Sequence, residues 1–327
     1  MIGYHASHEQ FDPAALLDHA RQAERAGFEA LMCSDHFHPW TQAQGESGQA
    51  WVWAGAAVAN SPLSLGMVTC PYLRYHPAIV AQALATLERL APARVWLAVG
   101  SGEALNERVC GRPWPDKPQR HAQLLRAVEV MRALWRGEEV ARDDGHPPMG
   151  PGRLYTTPTR PIPLLGAALT PETARWLGGW ADGLITVSMP AAELRTLVTA
   201  FREGGGEGKP MFLQVKLSYA DSDAQALAGA MDQWRCNVLP AAVSESLSRP
   251  EDFAALAELV DEQTLCKRVN VSADPQRHAQ WLSDYLDMGF ERLYLHNVNR
   301  QQARFIDDFG AHVLPQLRAQ SSSSTQA

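Results

Sequence analysis

Several classes of protein are excluded by what this sequence lacks. No apolar run reaches the ~18 residues that a membrane helix requires. Cysteine is sparse, five in 327 residues at positions 33, 70, 110, 236 and 266. None form a CxxC pair, so the spacing predicts neither a disulfide framework nor a zinc site. There is no basic excess, with 29 Lys and Arg against 36 Asp and Glu and a formal net charge of −7. That balance argues against nucleic acid or an anionic membrane as the main partner. HExxH, GxSxG and P-loop patterns are missing. His5 with His8, and His36 with His38, lack the helix spacing of a metal site, so no metal is expected. The dinucleotide fingerprint is incomplete: "GSGEAL" has Gly100 and Gly102 but Leu105 where the third glycine belongs. Free thiols and no signal-peptide pattern lead to the expectation of a cytoplasmic protein.

What is present is alternation. Hydrophobic residues make up 46% of the chain, enough for a large core. "IGYHA" opens as a short apolar strand. Asp12-Pro13 then starts a helix with Leu16, Leu17, Ala20 and Ala23 on its buried face and Gly27 as its stop. "FEALMCS" follows as a strand. Strands are predicted again at 63–69, 94–100, "IPLLGAAL", 182–188, 211–220 and "ERLYLHN", with "CKRVNVSA" as a further candidate. Helices are predicted at 77–90, 120–137, from "TPETAR", at "AAELRTLVTAFREG", at 274–289 and over the C-terminal segment, and a Pro-rich loop at 144–163. About eight strands alternating with helices predict a single (β/α)8 TIM barrel over 1–318, with an inserted helical segment near 222–263 and a disordered low-complexity tail at 319–327. The alternative is an open doubly wound sheet.

Barrel chemistry sits where strands end and the following loops begin. Two polar groups fall there, "SDHFHPW" (Ser34–Trp40) and "SGEALN" (Ser101–Asn106). His36, with Asp35 beside it, suits proton exchange near neutral pH, or is simply a histidine bonded to a loop carbonyl. His38 reads as a loop side chain. Glu103 follows glycines that allow close backbone approach to a ligand, or is only an acid in a helical first turn. Trp40 either stacks on a flat ring or packs at the barrel mouth. Glu9, after the first strand, falls on the same face or is merely solvated. Trp51, Trp53, Trp176 and Trp180 read as helix-face residues.

"SDHFHPW", "LRYHPAIVAQALATLERL" and "VWLAVGSGEALNE" together resemble the luciferase-like family of flavin-dependent oxidoreductases, nearest to its deazaflavin-dependent glucose-6-phosphate dehydrogenase branch. The resemblance spans nearly the whole chain. It implies a luciferase-like barrel with a flavin-type ring at its C-terminal mouth. His36 would remove a substrate hydroxyl proton and Glu103 would protonate the ring as hydride arrives, with Trp40 lining the pocket. Asp35, Cys70, Ser101, Gly102 and Asn106 match cofactor contacts, and Glu9 lies by the substrate. It also implies a homodimer acting on a small molecule.

Two departures qualify what the resemblance implies. Of the two lysines and one arginine that grip the sugar phosphate in that branch, the first lysine position is Pro190. The second falls in 231–262, which holds no lysine, leaving Arg268 alone. One cation is a poor clamp for a dianion, so glucose 6-phosphate is not the expected substrate. A Gly-Gly pair against the cofactor tail is here Leu169-Thr170, which adds bulk and restricts φ. FMN is therefore the expected cofactor, ahead of the deazaflavin coenzyme F420. A monooxygenase using O2 and a flavin-binding protein without turnover remain as alternatives.

Overall fold

The computed structural model describes residues 1–143 and 148–324. Eight parallel strands form its centre: β1 (Ile2–Ala6), β2 (Ala30–Ser34), β3 (Ser64–Thr69), β4 (Val95–Val99), β5 (Leu164–Ala167), β6 (Gly183–Val187), β7 (Met211–Ser218) and β8 (Arg292–Asn297). Each pairs with the next, and β8 closes on β1 with Tyr4 opposite Leu295. The expected (β/α)8 barrel is thus closed.

The outer ring is α1 (Pro13–Ala26), α2 (Ala50–Asn60), α3 (Pro77–Leu90), α4 (Lys117–Trp135), α5 (Pro171–Gly178), α6 (Ala191–Phe201), α7 (Pro275–Asp287) and α8 (Gln302–Asp308). Local chemistry sets their ends. The Asp12 carboxylate accepts from the backbone N–H of Ala14 and Ala15, and Gly27 terminates α1 at φ +93. Leu16, Ala20 and Ala23 are buried on its inner face, whereas Leu17 is half-buried. α4 begins at Lys117 rather than Arg120, because Asp116 caps it by accepting from Gln119 N–H and Pro118 fits the first turn.

Two stretches differ from the sequence expectation. Met149–Gly152 pairs antiparallel with Val140–Arg142 inside the segment expected as loop, of which 144–147 lie outside the described residues. The helix Leu314–Ser324 covers the first part of the expected tail, and 325–327 lie outside the described residues.

The barrel floor is apolar: Trp96, Phe212 and Tyr294 fill it with Met32, Leu165 and Ile185. Trp96 Nε1 donates to Tyr294 Oη at 3.0 Å. A Cβ on Gly66 would stand 1.8 Å from the Trp96 ring, so this indole can lie across β3 only over a glycine. Above the floor, towards the strand C-termini, the interior divides. β1, β7 and β8 turn His5, Gln214, Lys216 and His296 inward, all buried. β3 to β6 offer only Val68, Gly100, Ala167 and Val187, all half-buried.

The expected helical insertion lies between β7 and α7 as Asp223–Trp234, Ala241–Ser244, Pro250–Ala257 and Glu262–Cys266. Trp234, Cys236, Phe253, Ala257 and Leu265 give it a small core of its own. That core takes in Trp40 and Leu105 from the barrel loops, which anchors the insertion over the mouth.

Candidate active site

The strand ends bring Glu9 and His36 together. Glu9, 2% exposed, sits in the loop after β1, and His36, 9% exposed, in the loop after β2. His36 Nε2 lies 3.3 Å from Glu9 Oε1, and Glu9 Oε2 accepts from Ser7 Oγ at 3.0 Å. On its other side, His36 Nδ1 faces Asn106 Nδ2 at 3.0 Å. Burial alone would push the Glu9 carboxyl up. His36, His5, a backbone hydrogen bond and Lys216 together outweigh it and hold Glu9 down at about 2. Trp40 covers the pair, its ring centre 5.1 Å from that of His36 and 5.1 Å from Phe253 of the insertion.

Glu103 caps the short helix Ala104–Glu107 after β4 through its backbone, while its carboxyl makes no hydrogen bond or ion pair among the described residues. Burial raises this carboxyl above its ordinary range, against the pull of His36 and Lys216. Such a shift lets the carboxyl keep its proton to a higher pH than an ordinary glutamate.

A second ionic network lies behind these loops. Asp35 accepts from Thr69 Oγ1 at 2.8 Å and from Tyr75 Oη at 3.3 Å, and pairs with Arg74 at 3.1 Å. Glu107 accepts from Arg74 N–H at 2.9 Å. Both loops are thus pinned to the segment after β3. Asp35, expected among cofactor contacts, has its oxygens engaged here. Asn106, expected likewise, spends Oδ1 on the N–H groups of Phe37 and His38 and its NH2 on His36. His38 donates from Nδ1 to Leu105 O, a loop role as the sequence indicated.

The opposite half of the mouth carries the other expected cofactor residues. Gly102 has φ +83, and a Cβ there would meet Cys70 Sγ at 3.0 Å, so the turn requires glycine. Ser101 O accepts from Tyr72 Oη at 2.7 Å. Burial raises the Cys70 thiol well above its ordinary range, keeping it protonated. Leu169 is 49% exposed after β5, and Thr170 caps α5 by accepting from Thr173 N–H. With Val68, Gly100, Ala167 and Val187 these residues form a shelf of uncharged, mostly small side chains on the β3 to β6 side of the mouth. No charged side chain projects from it, and Leu169 is its bulky, exposed member.

Residues that the sequence reading did not place in the site line the β1, β7 and β8 side of the mouth. Lys216, His296, His5 and Gln10 form a buried polar layer below the His36–Glu9 pair, with the His5 and His296 rings stacked 4.5 Å apart. Burial pushes Lys216 down to about 7 against the attraction of Glu9 and Glu103, and pushes His5 down to about 3. The signal lay in "FLQVKLS", where Phe212, Gln214, Lys216 and Ser218 share one face of a strand and turn polar towards its C-terminal end. Arg268 lies away from this layer, bound to both carboxylate oxygens of Glu193 at 2.8 and 3.3 Å. Among the described residues no cluster of three or more His, Cys, Asp or Glu is placed to hold a metal, and no helix is long and apolar enough to cross a membrane.

A closed barrel that carries acid and base groups in the loops after its strands has the layout in which barrel enzymes place their chemistry. Comparison with known proteins gives the same class. The chain belongs to the luciferase-like monooxygenase family, whose model matches residues 2–292, and is an oxidoreductase of its F420- or flavin-dependent kind. It is 38% identical over 328 residues to a protein from Beutenbergia cavernae named F420-dependent glucose-6-phosphate dehydrogenase, covering 97% of each chain. The protein of that name from Intrasporangium calvum is 37% identical over 330 residues, with 97% of this chain and 98% of that one covered. Among solved structures, an F420-dependent secondary alcohol dehydrogenase in complex with an F420-acetone adduct superimposes with a TM-score of 0.89 at 30% identity, covering 97% of this chain and 98% of that one.

Proposed function

We propose that this protein transfers hydride between a small uncharged alcohol or carbonyl compound and a flavin-type ring seated on the shelf formed by β3 to β6. The observation that carries the reading is the placement of the Glu9–His36 pair, 3.3 Å apart, and of the Glu103 carboxyl at the same end of the barrel, in the loops after β1, β2 and β4. When bound, the ring supplies the hydride acceptor. The substrate hydroxyl proton passes to the His36–Glu9 pair, which acts as one unit. Glu103 supplies a proton on the ring side. Trp40 and Trp234 exclude water from the exchange.

Ser101, Gly102, Leu169 and Thr170 would hold the cofactor. Leu169-Thr170 favours FMN, which lacks the longer tail of F420. The names carried by the relatives favour F420 and form the second reading. The same names speak for glucose 6-phosphate. Against it stands the sugar-phosphate grip, reduced to Arg268 and already neutralised by Glu193.

The family resemblance favours a homodimer, and the dispersed free thiols favour a cytoplasmic location. Titration of purified protein with FMN and with F420, followed by absorbance, tests the cofactor. Failure of both to bind at micromolar concentration overturns the proposal. Turnover that persists under argon supports a dehydrogenase, and turnover that stops identifies a monooxygenase.

A further inference from the structure

Glutamine side chains are mostly exposed, yet Gln10, Gln44 and Gln233 are 1%, 0% and 2% exposed, on three segments far apart in the chain. Each amide is oriented by a backbone group that can play only one role. Gln44 Oε1 accepts from the N–H of Trp40 at 2.8 Å, so its NH2 donates to Gln233 O at 2.9 Å. Gln10 Nε2 donates to Val298 O at 2.7 Å and to Gln233 Oε1 at 3.0 Å, which leaves Gln10 Oε1 facing His296 Nε2 at 3.0 Å. Gln233 Nε2 in turn donates to Ala43 O at 3.3 Å. Arg300, in the loop after β8, donates to Ala43 O at 2.8 Å and to Gln44 O at 2.9 Å. The segment 40–44 of the loop after β2 is thus gripped from the insertion and from the loop after β8.

This grip lies beside the base. Trp40, whose N–H it holds, sets its ring centre 5.1 Å from that of His36 and 5.1 Å from that of Phe253. We propose that Gln44 is a positioning residue for the base: from a fixed point on the insertion, the carbonyl of Gln233, it sets the Trp40 ring against His36. Removing the Gln44 amide leaves two buried backbone groups, Trp40 N–H and Gln233 O, without this partner, and such groups are costly to leave unpaired. The segment relaxes, and Trp40 shifts against the imidazole. The consequence for rate rests on the hydride-transfer reading above, in which His36 receives the substrate proton; the placement of Trp40 does not.

The test is NMR of the full-length chain carrying histidine labelled with carbon-13 at Cε1, with the His36 resonance assigned by its loss in His36→Ala. Fold is checked by circular dichroism and by an unmoved resonance of His278 on α7. The His36 resonance is expected to move in Trp40→Phe and in Gln44→Met, and the double variant should fall short of the sum of the two shifts, because Gln44 acts through Trp40. Gln44→Glu keeps the acceptor for Trp40 N–H. At about pH 5 a buried carboxyl also keeps a proton to donate to Gln233 O, so this variant should leave His36 close to its parent position at that pH. A His36 resonance unmoved in Gln44→Met, shifts that simply add, or a Gln44→Glu displacement as large as that of Gln44→Met overturns the assignment. With cofactor bound, Gln44→Met should slow cofactor reduction about tenfold while changing cofactor Kd less than about twofold. An unchanged rate overturns the functional half. Failure of both FMN and F420 to bind strikes the redox reading alone, since the resonance test needs neither.

Discussion

Asn106 fixes the protonation geometry of His36. Its Oδ1 accepts from Phe37 N–H at 2.9 Å, so its Nδ2 must donate to His36 Nδ1 at 3.0 Å. In the neutral ring the proton then sits on Nε2, 3.3 Å from Glu9 Oε1. In the proposed reaction the substrate proton would pass to this pair, with Glu9 carrying the negative charge.

Asn106→Asp keeps the shape and reverses the donor. The proton would move to Nδ1, and two electron-rich groups would face each other at Nε2 and Glu9. We expect cofactor reduction to slow by ~10²–10⁴, as it should in His36→Ala and Glu9→Gln. The His36→Ala, Glu9→Gln double variant should be no slower than the worse single one, since the two act together. Multiplying losses in single-turnover rate would show two independent groups.

Leu169→Gly with Thr170→Gly restores the backbone freedom expected for a deazaflavin tail. The double variant should raise F420 affinity relative to FMN affinity. Fluorescence titration gives both constants, and an unchanged ratio would clear this dipeptide of any part in cofactor choice.

Burial pushes the Glu107 carboxyl up to about 7 from an ordinary 4.5, against the pull of Arg74. Between those two values the folded chain binds more protons than the unfolded one, so stability from this group falls as pH rises through the window. The penalty is absent below the lower value and complete above the upper one. Glu107→Gln should bring the urea midpoints at about pH 5 and about pH 8 closer together than in the parent. Equal gaps would mean that this carboxyl does not titrate there.

Arg268 spends its guanidinium on Glu193 in an exposed pair, and such pairs contribute little. Arg268→Ala should therefore alter KM for an accepted substrate by less than about fivefold. A much larger rise, with kcat unchanged, would bring Arg268 back into the substrate site.

The sequence was most legible where chemistry is local. Asp12 with Pro13 and Gly27 bound α1 through backbone groups within one turn of each end. The period of alternation led to the barrel, and "SDHFHPW" with "GSGEAL" marked His36 and Glu103 because both follow strands directly. Glu9 was harder to weigh. Burial at 2% depends on β2 closing beside β1 and on the insertion covering the mouth, neither of which leaves a trace near position 9.

By itself, then, the sequence determined the helix ends, the strand count and the two polar loops, all of which rest on contacts between near neighbours in the chain. The tertiary structure alone decided that Lys216 and His296 turn into the barrel beside His5. In a parallel barrel both faces of a strand are buried, so alternation says which residues share a face but not which face is inside. Only closure of β8 on β1 settles that, and it turns a lysine in an apolar strand into the one cation of the buried layer beneath the His36–Glu9 pair among the described residues.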